Sequence, residues 1–284
     1  MRRLFRKEYS RDIAYTIIAV IIAVIFLFPV YWILISSLKS DQEIFSRVQT
    51  WWPKKIHLEN YIDQILNKTK TANLPVQFRN SGIIATGSMI LSLILSIPAS
   101  YGISKFNIPG KKPILLTFLV TQMLPASLIL TPLFLIFSKA GILNSYLAPI
   151  LATATISIPF VIMVLRPIFL AYPHEIEEAA LIDGCNQFTA FLKVTIPVCK
   201  SGIITAAAFS FIYGWNDLIY SITFNNKADL LPMTSGIYQF MDAYGTQWNM
   251  IMAYGVITEL PIIVLFVALQ KHIVGGLAGG AVKG

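Results

Sequence analysis

Six long apolar runs separated by polar stretches set the pattern of this chain. They are Ile13 to Leu34, Ile83 to Tyr101, Ile114 to Phe137, Leu147 to Leu165, Ile203 to Phe224 and Met250 to Leu269. Each is close to the roughly 20 residues a helix needs to cross a bilayer. The pattern predicts an all-α polytopic membrane protein, one membrane domain of six transmembrane helices over residues 1–284. The first run is too long for a signal-peptide core and lacks a small-residue cleavage site, so it is expected to stay as a span. Proline interrupts most runs, at Pro29, Pro98, Pro125, Pro132, Pro159 and Pro261. Each removes a backbone donor and tends to kink its helix, which neighbours in a membrane can compensate.

Two stripes of small residues stand out inside the runs. Ser88, Ser92, Ser96 and Ser100 recur every four residues, as do Gly202, Ala206, Ser210 and Gly214. Such faces let helices approach closely in lipid; a polar pathway lined by the serines is the other reading.

Three exposed segments separate the spans. Lys39 to Arg79 carries Trp51, Trp52 and the polar stretch Asn67 to Asn73. Trp pairs often sit at the lipid–water boundary, and contact with a partner is the alternative. Asn225 to Asn249 carries Tyr238, Phe240, Tyr244 and Trp248, suited to interfacial packing or to docking. Between them lies the segment 171–200, the longest polar interruption among the later runs. In it Pro173 suits a first helical turn. Glu175, Glu177 and Glu178 follow, where the helix dipole favours acid. Gly184 stands where a left-handed C-terminal residue is expected. Phe188, Phe191, Leu192 and Val194 give a second apolar stripe, stopped by Pro197.

Composition supports the membrane reading: 56% of the 284 residues are hydrophobic and 13% charged. Arg2, Arg3, Arg6, Lys7 and Arg11 at the start, with Lys105, Lys111 and Lys112 after the second run, predict cytoplasmic termini and a multi-pass protein of the plasma or inner membrane. The Lys39 to Arg79 segment, with seven basic and four acidic residues, runs against this rule but is about 40 residues long, and longer loops obey it less well. The net charge of +8 then reflects topology, with no aromatic-interleaved basic patch for nucleic acid. Cys185 and Cys199, expected as reduced thiols, lack CxxC spacing and a nearby histidine pair, so no metal site is expected.

An enzyme is disfavoured. His57, His174 and His272 are far apart, and HExxH, GxSxG and GxxxxGK[ST] motifs are missing. Any ATP-driven work therefore needs a separate ATPase subunit. Ionisable groups within the runs are few and become candidates on the cost of burying charge. Arg166 is placed to snorkel to the boundary. Glu259 lies just before Pro261, with a structural and a pathway role both open. Trp215, Asn216 and Asp217 offer an aromatic face and polar groups of the kind a sugar needs, and Gln122 is a further pathway candidate.

The segment EAALIDGCNQFTAFLKVTIP, residues 178–197, resembles the EAA loop of ABC-importer permeases. Glu178, Ala179, Ala180, Gly184 and Pro197 match that motif in type and spacing, with Val194 and Ile196 as conservative replacements. The tail GGLAGGAVKG and the Trp215–Asn216–Asp217 trio resemble the carbohydrate branch, specifically the smaller permease of maltose-type systems. The resemblance implies a type I importer fold and a heterodimer with a second permease. It further implies two ATPase subunits holding ATP and Mg, and an extracytoplasmic sugar-binding protein. Glu177, Glu178, Ala179, Ala180, Asp183, Gly184 and Pro197 would form the ATPase-coupling element. Tyr238, Phe240 and Tyr244 would dock the binding protein. A secondary carrier or channel acting without an ATPase is the alternative; Asp217 and Glu259 would then serve as its coupling groups.

Overall fold

The computed structural model describes residues 2–66, 73–242 and 245–281, with the side chains of 2–11, 174, 242 and 272–281 outside that description. Tyr244, most of the Asn67 to Asn73 stretch and the last three residues of the tail therefore lie outside the described residues. In chain order the helices are α1 (Arg2–Ser37), α2 (Asp41–Ile44), α3 (Glu59–Ile65), α4 (Leu74–Lys105), α5 (Lys111–Met123), α6 (Ala126–Lys139) and α7 (Leu147–Ala171). They continue as α8 (His174–Ile182), α9 (Gln187–Ala190), α10 (Ile196–Val198), α11 (Lys200–Trp215), α12 (Ile219–Phe224) and α13 (Trp248–Ala281). Two short strands, β1 (Met241–Asp242) and β2 (Gly245–Thr246), pair antiparallel.

Four helices are long and apolar enough to cross a membrane by themselves: residues 12–37 of α1, then α4, α7 and residues 248–271 of α13. The third expected span is broken within its run, and the fifth is preceded by a bend. α5 and α6 meet at 98°, and the α9–α10 stretch meets α11 at 78°; counting each bent pair as one span gives six. The break in the third run falls at Pro125. That residue has no N–H to donate, and a residue before proline is driven out of the helical region; Leu124 is accordingly extended, φ −75° and ψ 128°. The fifth run does not continue to Phe224 as one helix: α11 ends at Trp215 and α12 starts at Ile219.

The chain divides into two compact units, residues 1–72 with 237–259, and residues 73–236 with 260–284. In the first, the apolar side chains of α1 from Ile13 to Val30 are exposed, as on a helix whose neighbours are lipid or other subunits. The chain after α1 is tied down by polar side chains. Asn60 Nδ2 donates to the carbonyls of Ser37 (2.8 Å) and Lys39 (3.1 Å). Asn249 donates its backbone N–H to Asp41 Oδ1 (3.0 Å) and its amide to Asn60 Oδ1 (3.1 Å). The buried Lys39 ammonium donates to the Thr50 carbonyl and sits 5.0 Å from the centre of the Trp32 ring. Trp51 packs edge-on against Trp32 at 6.1 Å yet stays largely exposed, as does Trp52.

The second unit is built on α4, α7 and α11. Ser88, Ser92, Ser96 and Ser100 are all fully buried. Ser96 Oγ donates to the Ile158 carbonyl at 3.2 Å, and Ser157 and Ser210 share a hydrogen bond of 2.7 Å. A Cβ on Gly214 would lie 2.4 Å from Ser88 Oγ and 2.6 Å from Ala85 Cα. The serine stripe is a packing seam: small residues let α4 and α11 approach to backbone contact.

Candidate functional site

The segment 171–200 folds as a helix, a hinge and a second helix. Pro173 takes the N-cap position, one residue ahead of the first helical turn anticipated for it, and α8 starts at His174. The helix ends in a complete Schellman motif. Gly184 N–H donates to Leu181 O (3.1 Å), and Cys185 N–H donates to Ala180 O (3.0 Å). Gly184 has φ +92°, the left-handed conformation expected of it. Asn186, which sequence reading passed over, caps the second helix by accepting the Thr189 N–H at 2.8 Å. Its signal was the ordinary one, an Asn before an apolar helical stripe.

Pro197 does not stop that second helix. It lies inside α10, immediately after a π-helical turn over Phe191–Thr195, and the chain bends only at Cys199. A π-turn widens the ladder, so the missing proline N–H is absorbed as a bulge.

The loop presents two faces. Glu178, Ala179, Asp183 and Gly184 are exposed; Ile182 is 86% and Phe188 70% exposed. Ala180 is buried, and Glu177 is only 3% exposed. Glu177 therefore turns inward against α4, unlike Glu178 and Ala179, which were named with it as coupling residues. Its Oε1 accepts the Tyr101 O–H at 2.5 Å, and its Oε2 pairs with Lys105 Nζ at 2.9 Å. The Tyr101 ring lies 4.6 Å from Phe191 and 5.8 Å from Phe169, centre to centre. Burial raises the neighbouring Tyr172 phenol above its ordinary pKa, and the Glu177 carboxylate adds to that rise.

Trp215 and Asp217 are not disposed as a sugar surface. Trp215 is 2% exposed, with its ring among Phe78 at 5.4 Å and Phe211 at 5.9 Å, so no aromatic face is offered to a ligand. Asp217 serves the backbone. Its Oδ1 accepts Tyr220 N–H (3.2 Å), and its Oδ2 accepts Ser221 N–H (3.0 Å) and Ser221 Oγ–H (2.6 Å). It thereby satisfies the first donors of α12. Asn216 is exposed. Gln122 donates to the Ile156 carbonyl at 2.9 Å and ties α5 to α7. Glu259 is exposed on α13, and the helix runs on through Pro261.

The described start of the Asn225 to Asn249 segment is tied down. Asn80 Nδ2 donates to the carbonyls of Asp229 (2.8 Å) and Leu231 (2.9 Å), and Ser81 Oγ accepts Met233 N–H at 2.9 Å. Within the other unit, Tyr238 is 57% exposed, whereas Phe240 is 4% exposed against Tyr254 at 5.6 Å. Phe240 is a core residue here and is not free to fill a partner's pocket. Among the described residues no group of three His, Cys, Asp or Glu side chains is arranged to hold a metal ion.

Residues 88–278 match the family described as binding-protein-dependent transport system inner membrane component. The chain belongs to that family. It is 32% identical to the sulfoquinovosyl glycerol transport system permease protein SmoH of Agrobacterium fabrum, over 91% of this chain and 89% of that protein. It is 30% identical to the diacetylchitobiose uptake system permease protein DasC of Streptomyces coelicolor, over 94% and 95%. Its fold matches the crystal structure of a bacterial ABC transporter involved in the import of the acidic polysaccharide alginate. That match has a TM-score of 0.74 and 21% identity, and covers 94% of this chain and 97% of the other. The protein is thus an ABC-importer permease, a multi-pass inner-membrane component, and ATP hydrolysis belongs to a separate subunit. A carrier working without an ATPase finds no support in this family.

Proposed function

We propose that this permease imports a carbohydrate, an oligosaccharide by the kinship of its branch. It forms the translocation pathway with a second, related permease. Two ATPase subunits, holding ATP and Mg, take up the exposed face of the 171–200 loop, and both termini lie on their side of the membrane. The observation that carries this reading is that exposed face. Ile182 and Phe188 hold large apolar side chains exposed on this loop, beside the exposed Glu178, Ala179 and Asp183. Exposed apolar groups rimmed by polar ones mark a surface that a partner covers. ATP-driven closure of the ATPase pair would then move the loop and rock the spans between two states.

The test is cross-linking in the assembled importer. Ala180 faces inward, so the probe belongs at Ala179: Ala179→Cys is expected to cross-link to the ATPase subunit and Ala180→Cys to do so poorly. A permease that co-purifies with no ATPase and gives no cross-link overturns the reading. For the binding protein the informative residue is Tyr238. Tyr238→Ala should lower binding-protein stimulation of ATP hydrolysis while leaving assembly intact. Phe240→Ala should instead lower the yield of folded permease.

A further inference from the structure

A short helix that receives a push must deliver it somewhere. α8 has nine residues. At its C-terminal end it is joined to the rest of the loop by Gly184, around which a Cβ would find nothing within 4 Å. A displacement of α8 reaches α7 through the short Tyr172–Pro173 link and the other helices through its lateral contacts. Among the described residues of α8 the buried ones are Glu177 and Ala180, three apart and on one face. Ala180 offers one methyl group. Glu177 offers a carboxylate gripped at both oxygens.

The two donors come from one helix. Tyr101 and Lys105 are four residues apart on α4, hence neighbours on one face, and each holds a different oxygen of Glu177. Two bonds a helical turn apart fix the carboxylate's rotation as well as its position. The Tyr101 bond to the carboxylate is charge-assisted and correspondingly short, and Lys105 adds an ion pair at the second oxygen. Tyr101 reaches the second half of the loop as well, through Phe191. A buried ion pair is a poor way to gain stability, and its best-attested use is to fix one arrangement among several.

We propose that Tyr101, Lys105 and Glu177 form a latch that fixes α8 to the C-terminal end of α4, so that a displacement of the loop becomes a displacement of α4. Glu177 is a positioning residue within the permease and makes no contact with the ATPase. The mechanical role rests on the loop's being the coupling element; the latch itself is a property of this chain.

The experiment uses the assembled importer in lipid nanodiscs, with Cys185→Ser and Cys199→Ala as background. Spin labels go at Asp183 on the loop and at Asn107, just past α4. The distance between them is measured with and without Mg-ATP and vanadate, alongside the amount of co-purified ATPase. The parent protein is expected to give one narrow distance in both states. Glu177→Gln should keep its ATPase but broaden the distance roughly two-fold, because neutral bonds hold about half as strongly as charge-assisted ones. Tyr101→Phe, which keeps the ring packing, should broaden it less. Exchanging the charges, Glu177→Lys with Lys105→Glu, should narrow it again. A narrow distance in Glu177→Gln overturns the latch. So does loss of the ATPase from that variant with the distance unchanged, which would place Glu177 at the subunit contact. If the parent permease itself retains no ATPase, the coupling reading fails while the label distance still reports on the latch.

Discussion

Two buried carboxylates in the same unit do different kinds of work. Asp217 is 8% exposed and spends both oxygens on residues three and four positions ahead of it. Glu177 is 3% exposed and spends its oxygens on Tyr101 and Lys105, more than 70 residues behind it. The first is a local device: it breaks a span after Trp215 and starts a new helix. The second is a tertiary device that holds two distant segments in one relation. A cap survives wherever its own turn survives, whereas a latch exists only when the spans are assembled.

The comparison predicts unequal penalties. Glu177→Leu takes the carboxylate away from both Tyr101 and Lys105. Breaking a buried pair costs about 3–5 kcal/mol, and the low end applies because Lys105 keeps 21% of its side-chain exposure. The loss should appear as proteolysis of the 171–187 region in detergent before the spans unfold; a loop as resistant as the parent's would erase the distinction.

Two glycines sharpen it next. Gly214→Ala forces a methyl group onto the α4 backbone and should cost about 1–3 kcal/mol, seen as reduced folded yield. Gly184→Ala meets no atoms but must hold φ +92°, a strain of roughly 1–2 kcal/mol. It should assemble normally and lose transport, which vesicle uptake would read. Equal yields for both variants would show that crowding at Gly214 is relieved elsewhere.

The smallest effect belongs to Asp217. Asp217→Ala removes a helix-start acceptor, worth about 1 kcal/mol, and should speed amide exchange only over Ile219–Phe224. Sugar preference should be unchanged. A shift in preference between sugars would return Asp217 to the pathway and break the comparison from the other side.

The apolar runs were legible because burial in lipid demands about 20 consecutive apolar residues, whatever the neighbours are. The Gly184 hinge was legible because the left-handed conformation selects its residue locally. The cap at Asp217 carried a local signal as well, an acidic residue immediately before an apolar run, but the nearby tryptophan drew the reading toward sugar. Breaks at Pro125 and Cys199 were half legible. Proline marks where a helix is weak, and the packing around it decides between a kink, a π-turn and a 98° corner.

The orientation of Glu177 had no signal in its own segment, where three glutamates occupy the first turns of α8 alike. Local chemistry could say only that acid is favoured there. Which glutamate turns inward depends on Tyr101 and Lys105 meeting it from α4. In the same way Trp215 and Phe240 became core residues because Phe78 and Tyr254 cover them. The sequence by itself determined what must lie in the membrane, where helices start and where the backbone turns left-handed, since those follow from transfer energies and local dihedrals. The tertiary structure alone decided which polar and aromatic groups face inward, since that depends on partners distant in the chain.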